Sequence, residues 1–426
     1  MQNSVNILYG KNGFSLEIQE HWNPVVIEKP RMPRIKSIEC SVKKMFKKPT
    51  NCKPLLQLSS EAQSACILVC DSTRPVPNNL FLPSLLKELL KGGMQKENII
   101  ILIATGLHRP ATKEEIAHII SFDWVMENFL VENHFARNEN DHRLVGVTSQ
   151  GNEIKLDKRF LDSDLKIATG LVEPHFMAGF SGGRKVVTPG IAHVDTITRL
   201  HSASYLQNPL AINCNLEGNP LHQDQLEAIQ MVGSVFAINC VLDDKRNLSF
   251  INFGEIISSH GEAVKFISSY STVKTKDTFQ TVVTGSAGYP LDSTYYQTVK
   301  AMVSPIDILS DGGDLIILSN CSEGLGSKEF RESQKHLVNM GINSFLKSIL
   351  AKKHARIDEW QTAMMLNPLS KGNIYLYTDG LTKFEEAITG VNIIKDPTEY
   401  INKSIMKHNN NNIAIIPEGP YVVPIR

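Results

Sequence analysis

The segment Ile99–Ile120, IIILIATGLHRPATKEEIAHII, decides the fold class of this chain. It opens with a short run of isoleucine and leucine, passes through a glycine-containing loop, and ends in a helical pattern. Thr112 and Glu115 have the spacing of a capping box, in which two side chains satisfy backbone N–H groups at the start of a helix. A short, wholly apolar strand is typical of a parallel sheet whose faces are covered by helices. The segment therefore predicts an α/β fold.

The same alternation of strand and helix recurs along the chain. The predicted strands are Ala65–Cys70, Ile99–Ile103, Leu165–Ala168, Thr281–Val283, Asp314–Leu318 and Ile374–Tyr377. The predicted helices are Lys113–Ile120, Glu255–Ser269 and Thr294–Met302. Parallel sheets bind ligands outside the carboxyl ends of their strands, so the loops after these strands are the places to look for chemistry.

The length of the chain predicts more than one domain, because 426 residues exceed the usual size of one. The polar segment STVKTKDT follows a long helical stretch and precedes a new strand. We therefore predict an N-terminal α/β domain over residues 1–272, a smaller α/β domain over residues 273–407, and a C-terminal tail over residues 408–426. Each domain has a largely parallel sheet flanked by helices.

Composition excludes several classes of protein. Lysine plus arginine and aspartate plus glutamate each total 44, so the chain lacks the basic excess of a nucleic-acid binder. No apolar run approaches the 18 residues of a membrane span, and the start lacks the pattern of a signal peptide. The seven cysteines are an odd set without a C-x-x-C pair, which argues against a disulfide framework or a zinc knuckle. We expect a cytoplasmic enzyme that acts on a small molecule.

Two loops carry groups suited to binding and proton transfer. The strand ending at Cys70 runs into Asp71-Ser-Thr-Arg74-Pro, where an arginine could hold a carboxylate or phosphate by two hydrogen bonds. An Asp71–Arg74 ion pair that only ties down the turn is the alternative. The next loop carries His108, and histidine is the side chain best suited to transfer protons near neutral pH. A histidine bonded only to loop backbone is the alternative there.

The most informative stretch lies between Thr169 and Gly190. Gly179, Gly182 and Gly183 suggest a backbone that approaches something closely, for example a phosphate. The stretch is neither a Walker A loop nor the dinucleotide motif G-x-G-x-x-G. Lys185 could be a phosphate ligand, a Schiff-base lysine or the attachment point of a cofactor. Two histidines follow, His193 and His201.

A fourth loop belongs to the predicted smaller domain. Tyr296 and Lys300 have the i, i+4 spacing that places them on one helix face, and Gln297 lies beside them. The alternative is a tyrosine that stacks on a lysine stem at the surface.

Taken in order, these motifs resemble the nickel-dependent lactate racemase family. The motifs are LYG at Leu8–Gly10, DSTRP at Asp71–Pro75, TGLHRP at Thr105–Pro110, EPH at Glu173–His175, GFSGGRK at Gly179–Lys185, PGIA at Pro189–Ala192, His201, GYP at Gly288–Pro290, YQ-x-x-K at Tyr296–Lys300, and WQ at Trp360–Gln361. Each is weak alone, whereas the ordered series spans nearly the whole chain. The resemblance implies two domains with the active site in the cleft between them.

The resemblance also implies a cofactor, the nickel-pincer nucleotide, supplied by cofactor biosynthesis proteins. By similarity, Lys185 binds it covalently and His201 coordinates the nickel. The other residues that the resemblance places near the cofactor are Asp71, Gly182, Gly183, Tyr296 and Trp360.

The implied reaction is the racemisation or epimerisation of a 2-hydroxy acid, such as lactate, malate or a sugar acid. Hydride leaves C2 while a base takes the hydroxyl proton, giving a 2-keto acid that is reduced on its other face. By similarity, His108 and His175 are the catalytic bases. Arg74 grips the substrate carboxylate, with help from Gln297 and Lys300.

Two other functions compete with this one. A phosphotransferase could use the Gly179–Lys185 loop, although the failed Walker pattern and the missing pair of magnesium-binding carboxylates count against it. A zinc hydrolase or a non-catalytic metal-binding protein could be built on His108, His175 and His201.

Overall fold

Across residues 4–426, which the computed structural model describes, two six-stranded sheets organise the chain, one in each of two units. One unit comprises Arg31–Leu200 and Asn215–Ser269 and is called here the histidine-loop unit. The other comprises the chain up to Pro30, His201–Cys214 and Tyr270–Arg426 and is called the terminal unit. The α/β fold with parallel sheets is thus confirmed.

The strands and helices follow one another closely along the chain. The strands are β1 (Ser4–Ile7), β2 (Phe14–Glu17), β3 (Asn23–Val26), β4 (Ala65–Cys70), β5 (Ile99–Ala104), β6 (Leu130–Asn133), β7 (His142–Val147), β8 (Glu153–Asp157), β9 (Leu165–Leu171), β10 (Pro174–His175), β11 (Gly179–Phe180), β12 (Phe236–Leu242), β13 (Leu248–Glu255), β14 (Thr272–Lys274), β15 (Phe279–Gly285), β16 (Leu309–Leu318), β17 (Asn373–Tyr377), β18 (Asn392–Ile394), β19 (Asn412–Ile416) and β20 (Val423–Ile425). The helices are α1 (Ile38–Lys47), α2 (Leu55–Ser60), α3 (Leu82–Lys91), α4 (Lys113–Ile120), α5 (Asp123–Asn128), α6 (Lys158–Asp162), α7 (Arg184–Val187), α8 (Val194–Leu200), α9 (Ala203–Leu206), α10 (Pro220–Val232), α11 (Ile256–Ser271), α12 (Tyr295–Val303), α13 (Lys328–Met340), α14 (Ile342–Leu350), α15 (Glu359–Lys371), α16 (Lys383–Glu386) and α17 (Pro397–His408). Every predicted strand and helix is present, and the capping box of Thr112 and Glu115 is formed.

The sheet of the histidine-loop unit has the strand order β13-β12-β9-β4-β5-β6, and only the β12–β13 pair is antiparallel. Both faces are buried, because Ile67 and Ile101 pack into one core while Leu68 and Leu102 pack into another. Full burial of each such side chain stabilises the fold by about 1.5–3 kcal/mol. From β4 the chain adds β5 and β6 on one side and later β9 and β12 on the other side. The loops after β4, β5 and β9 therefore lie together at the carboxyl ends of these parallel strands.

The sheet of the terminal unit has the order β18-β17-β16-β15-β19-β3 and is parallel throughout. Its β15 lies between β16 and β19, and buried residues such as Val283 and Ile415 fill its core. Helix α12 follows β15 and carries Tyr296, Gln297 and Lys300.

The units differ from the predicted domains in three places. The chain up to Pro30 and the segment His201–Cys214 belong to the terminal unit, although they precede the predicted boundary at residue 272. Residues 408–426 are not a tail, because β19 pairs with β15 and β3 inside the sheet. The apolar run of β19 explains this, since a strand buried on both faces stabilises the sheet more than a free end does.

Among the described residues, no helix has the length and apolar character needed to cross a membrane.

Candidate active site

The first group of site residues joins the loops after β4 and β5. His108 Nδ1 lies 2.6 Å from Asp71 Oδ2, and Thr73 donates to the other carboxylate oxygen from its hydroxyl and its backbone N–H. Burial alone would raise the pKa of Asp71, but the hydrogen bond and charge of His108 and the bonds from Thr73 hold it below its usual value. Asp71 is therefore an ionised carboxylate that accepts a hydrogen bond from Nδ1–H of a largely exposed imidazole.

Arg74 lies on the same loop and faces the EPH motif. Its Nε is 3.9 Å from Glu173 Oε1, and each side chain is about one-third exposed (33% and 34%). The Asp71–Arg74 ion pair, the alternative that the sequence left open, does not form, because His108 and Thr73 occupy the Asp71 carboxylate. A long, partly exposed ion pair contributes little to stability, so a substrate carboxylate can compete for this guanidinium.

His175 lies on the hairpin formed by β10 and β11. Its Nδ1 accepts hydrogen bonds of 3.3 Å from the backbone N–H groups of Met177 and Ala178. Its ring stacks on Phe176, with centroids 5.4 Å apart. The imidazole is thus held by the turn that follows it in the chain.

The glycines of the Gly179–Lys185 segment are explained by contacts within the protein. Gly182 and Gly183 have φ of +72° and +48°, which favour glycine. A Cβ on Gly182 would lie 2.7 Å from Val172, and one on Gly183 would lie 2.7 Å from the His260 ring. The close approach predicted from these glycines is therefore to neighbouring strands and helices of the same unit, and it does not by itself indicate a phosphate.

Arg184 is a feature that the sequence did not single out. It is 1% exposed, and it begins α7 directly before Lys185. Its Nη2 donates to the carbonyl oxygens of Ala178 and Phe180, and its Nη1 lies 3.0 Å from His260 Nε2. No carboxylate of the described residues forms an ion pair with it, and burial lowers its pKa to about 9. A buried arginine cannot be recognised from sequence, because most arginines are exposed.

Lys185 and Thr188 complete this segment. Lys185 is partly buried within α7. The Thr188 hydroxyl is buried and has no hydrogen-bond partner among the described residues. Buried polar atoms are normally bonded, so an orphan of this kind is a candidate contact for a bound molecule.

The predicted site residues of the terminal unit lie on α12 and α15. Trp360 Nε1 donates to the Tyr296 hydroxyl at 3.1 Å, and Gln361 donates to the Tyr296 carbonyl at 2.6 Å. Gln297 Oε1 is buried without a partner among the described residues. Tyr296 is therefore held from α15, while the Gln297 side-chain oxygen can still accept a hydrogen bond.

His201 begins the short segment that belongs to the terminal unit. Its ring packs against Trp360, with centroids 4.8 Å apart and planes at 45°. The structure thus brings together His201, Trp360 and Tyr296, three residues predicted from distant motifs.

One group of side chains among residues 4–426 has the geometry of a metal site, and His201, the predicted nickel ligand, does not belong to it. Glu139, His193 and Asp195 offer ligand atoms within 4.8 Å of one another. The Lys155 ammonium lies 2.9 Å from Glu139 and 3.4 Å from Asp195, so a protein cation already pairs with both carboxylates. Neither His108 nor His175 belongs to this group.

Comparison with known proteins gives a consistent result over the whole chain. The sequence profile of the lactate racemase N-terminal domain matches residues 9–212, and that of the lactate racemase C-terminal domain matches residues 274–423. The chain is 31% identical to a lactate racemase of Thermoanaerobacterium thermosaccharolyticum over 427 aligned residues, covering 99% of both chains. It is 29% identical to a lactate racemase of Lactiplantibacillus plantarum, covering 90% of both.

Solved structures agree with these sequence comparisons. The structure of the lactate racemase apoprotein from T. thermosaccharolyticum matches with a TM-score of 0.90 and 30% identity, covering 99% of this chain and 100% of that one. A Thermotoga maritima protein matches with a TM-score of 0.64 at 18% identity, covering 87% of this chain and 97% of that one, which indicates a shared fold.

Proposed function

This chain belongs to the lactate racemase family, and we propose that it inverts C2 of a short 2-hydroxy acid, with lactate as the first substrate to test. Racemases are isomerases, so the chain is an enzyme of that class. Malate and sugar acids are the other substrates to be screened. The observation that carries the proposal is the 2.6 Å hydrogen bond between Asp71 and His108. It orients a histidine that can act as a base at the carboxyl ends of two parallel strands.

Inversion at C2 through a 2-keto acid requires that a hydride and a proton both leave the substrate. The hydrogen on C2 of a 2-hydroxy acid is too weakly acidic for a side-chain base, so it departs as hydride while the hydroxyl proton goes to a base. His108 is suited to that second task, because Asp71 accepts a hydrogen bond from its Nδ1–H and stabilises the imidazolium that forms. A bound 2-keto acid results, and return of hydride to its other face gives the opposite enantiomer.

Arg74 is proposed to hold the substrate carboxylate. Its guanidinium can exchange the 3.9 Å contact with Glu173 for two parallel hydrogen bonds to the substrate. Gln297 and Lys300 are proposed to bind the substrate as well. The orphaned Gln297 Oε1 supports this role, since it accepts nothing from the described residues.

The residues present fit the nickel-pincer nucleotide. Lys185 offers a partly buried amine, the orphaned Thr188 hydroxyl lies three residues beyond it, and the neighbouring Arg184 cation is not neutralised by any described carboxylate. We propose that Lys185 holds the cofactor covalently near Gly182 and Gly183. When bound, this cofactor accepts and returns the hydride.

We propose that His201 coordinates the nickel of the cofactor. An imidazole nitrogen is a suitable ligand for nickel. Tyr296 and Trp360 are proposed to line the cofactor, because Trp360 contacts both His201 and Tyr296. We also propose that the chain needs cofactor biosynthesis proteins as partners.

The decisive test measures intact mass, nickel content and lactate racemisation after co-expression with the cofactor biosynthesis proteins. We expect an adduct of nucleotide size on Lys185, near-stoichiometric nickel, and conversion of either lactate enantiomer. Lys185→Ala should lose the adduct, whereas Lys113→Ala, an exposed control on α4, should keep it. An unmodified Lys185 under conditions that load a known lactate racemase would contradict the proposal.

The two competing functions have no support from a particular observation. The zinc hydrolase needs His108 and His175 in a metal-ligand group, and the one such group in residues 4–426 contains neither. The phosphotransferase rests on glycines whose close contacts are with the protein itself.

A further inference from the structure

The terminal unit contains a cavity of about 410 Å³ between α13 and the segment that leads into α15. One wall is a face of α13, and the other wall is formed by residues 355–357 and the first residue of α15. A cavity of this volume is in the size range of pockets that hold small organic molecules. Its lining residues differ from those proposed to bind the substrate and the cofactor.

Ser333 lines the cavity with a buried hydroxyl that has no hydrogen-bond partner among residues 4–426. The residue is 6% exposed. A serine within a helix can bond its hydroxyl to a carbonyl of the preceding turn, and buried polar atoms are normally bonded. The Ser333 hydroxyl is therefore a contact that a bound molecule can use.

Arg356 supplies a positive charge to the wall that precedes α15. The neighbouring carboxylate, Glu359, is already held by Lys352 at 2.5 Å and by the backbone N–H of Arg356 at 3.2 Å. The Arg356 guanidinium thus has no carboxylate partner among the described residues. A planar guanidinium of this kind binds a carboxylate through two parallel hydrogen bonds.

The facing wall of α13 presents carboxylates. Glu329 and Glu332 lie one turn apart, and Lys328 and His336 flank them along the helix. Neither glutamate forms an ion pair with Arg356, although all three line the same cavity, so the two walls are too far apart to pair directly. A ligand that carries both an ammonium and a carboxylate can lie between them and pair with each wall.

The ion pair that Glu332 does form leaves it available to such a ligand. Its carboxylate lies 3.6 Å from the Lys335 ammonium, and the two side chains are 54% and 38% exposed. Exposed ion pairs of this length contribute little free energy. A ligand ammonium can therefore compete for Glu332.

The space between the charged groups is apolar on one side. Ala355 is buried and Ile357 is partly buried, and both line the cavity. An apolar side chain of the ligand can pack there and leave water.

Both walls of the cavity also contact Tyr296. Phe330 on α13 packs edge-on against the Tyr296 ring, with centroids 5.1 Å apart. Trp360, which follows Glu359 in α15, donates to the Tyr296 hydroxyl. The cavity thus lies beside the candidate site and is separated from Tyr296 by these two side chains.

We propose that this cavity binds a free α-amino acid with an apolar side chain. The amino acid carboxylate binds Arg356, its ammonium binds Glu329 and Glu332, and the Ser333 hydroxyl gains a partner. A 2-hydroxy acid lacks the ammonium, so this site distinguishes its ligand from the proposed substrate. The inference does not depend on the proposed function, because it concerns other residues and another class of ligand.

Binding to the apoprotein is the direct test, measured by isothermal titration calorimetry and saturation-transfer NMR with L-leucine, L-valine and L-phenylalanine. We expect saturable binding at one site per chain with a Kd of about 1 mM or tighter for the best of them. For leucine, 4-methylpentanoate lacks the ammonium and 3-methylbutylamine lacks the carboxylate. Each should bind at least about tenfold more weakly, because it loses charge-assisted hydrogen bonds. No binding of any of the three amino acids at about 10 mM, or equal affinity for leucine and 4-methylpentanoate, would overturn the inference.

Variants place the ligand in the cavity. Arg356→Gln, and Glu329→Gln combined with Glu332→Gln, should each weaken binding at least about tenfold. Lys347→Gln removes an exposed cation of α14 outside the cavity and is the matched control, with wild-type affinity expected. Ser333→Leu should abolish binding by filling the cavity, and its urea midpoint should not fall, because an unbonded buried hydroxyl is replaced by an apolar group. Wild-type affinity in Arg356→Gln would refute the assignment.

A last variant separates this cavity from the proposed substrate site. Arg74→Gln removes the guanidinium proposed to hold the substrate carboxylate, and it should leave amino acid binding unchanged. Loss of binding in Arg74→Gln with retention in Arg356→Gln would place the amino acid in the substrate site and overturn the inference. A loaded enzyme that racemises no 2-hydroxy acid would contradict the proposed function alone, since these binding measurements use the apoprotein.

Discussion

Two histidines in the same unit lie beside a charged group, and they behave in opposite ways. His108 faces the Asp71 carboxylate, and its side chain is 60% exposed. His260 faces the Arg184 guanidinium and is 3% exposed. The carboxylate stabilises a protonated imidazole, whereas burial, followed by the charge of Arg184, holds the pKa of His260 well below its usual value.

The role of each histidine depends on its charged partner and on its exposure to solvent, and not on its residue type alone. His108 is exposed to water and bonded to a carboxylate, an arrangement suited to proton transfer. His260 stays neutral and donates from Nε2 to the Ser181 carbonyl, while Arg184 binds the carbonyls of Ala178 and Phe180. The buried pair thus holds the backbone leading to Lys185, and the exposed pair is placed for chemistry.

The largest expected effect is on activity at the exposed pair. Asp71→Asn should lower kcat of the loaded enzyme by about 10³–10⁴-fold, because an amide neither fixes the Nδ1–H tautomer nor stabilises the imidazolium. Racemisation of lactate with matched cofactor loading is the measurement. Asp162→Asn, in an exposed ion pair with Arg143, is the control and should be unchanged. Wild-type turnover in Asp71→Asn would remove the role of this pair.

The next effect is on stability at the buried pair. Arg184→Ala should lower the free energy of unfolding by about 3–5 kcal/mol, because it removes buried hydrogen bonds, orphans two carbonyls and leaves a cavity. Urea unfolding measures this difference. Arg109→Ala is the matched control, since that arginine is exposed in an ion pair with Glu115, and no measurable change is expected. A loss below about 1 kcal/mol for Arg184→Ala would mean that the segment does not depend on it.

Acid should destabilise the protein through its buried imidazoles. Burial and the charge of His142 lower the pKa of His134 to about 3, and the pKa of His260 is also well below normal. Because the unfolded chain binds these protons near pH 6.5 and the folded one does not, the contribution of these two histidines to stability is nearly constant above about pH 6.5 and is lost below it. From pH 6.5 to 5.5 each group should remove about 1 kcal/mol.

Urea unfolding at several pH values measures this slope. His260→Asn should flatten it, whereas His118→Asn, on the exposed side of α4, should leave it unchanged. A slope identical in wild type and His260→Asn would show that His260 does not contribute.

The sequence predicted the fold because its signals are local. A run such as Ala65–Cys70 and a capping box at Thr112 each specify one element without reference to distant residues. The place of β19 in the sheet was missed, because strand pairing over more than a hundred residues leaves no local mark.

Some features of the candidate site could likewise be predicted from the sequence, and others could not. The loops that carry His108 and His175 could be found, since they follow strong strands and match family motifs. The hydrogen bond between His108 and Asp71 could not be predicted, because the two residues lie 37 positions apart in the chain. The role of Arg184 could not be predicted either, because it depends on the burial of that side chain. Asp71 stays a predicted cofactor contact, and the structure adds that its carboxylate is bonded to His108 and Thr73.

The smallest expected effect is on stability at the exposed pair, and it completes the comparison. His108→Asn should lower the free energy of unfolding by less than about 1 kcal/mol, because exposed ion pairs contribute little and Thr73 still bonds the Asp71 carboxylate. The same change should abolish most racemisation. His260→Asn should show the reverse order, with a larger loss of stability than His108→Asn, measured by urea unfolding at pH of about 8. If His108→Asn lowered the free energy of unfolding as much as His260→Asn, the Asp71–His108 pair would also stabilise the fold. The comparison would then no longer support a role for this pair in proton transfer alone.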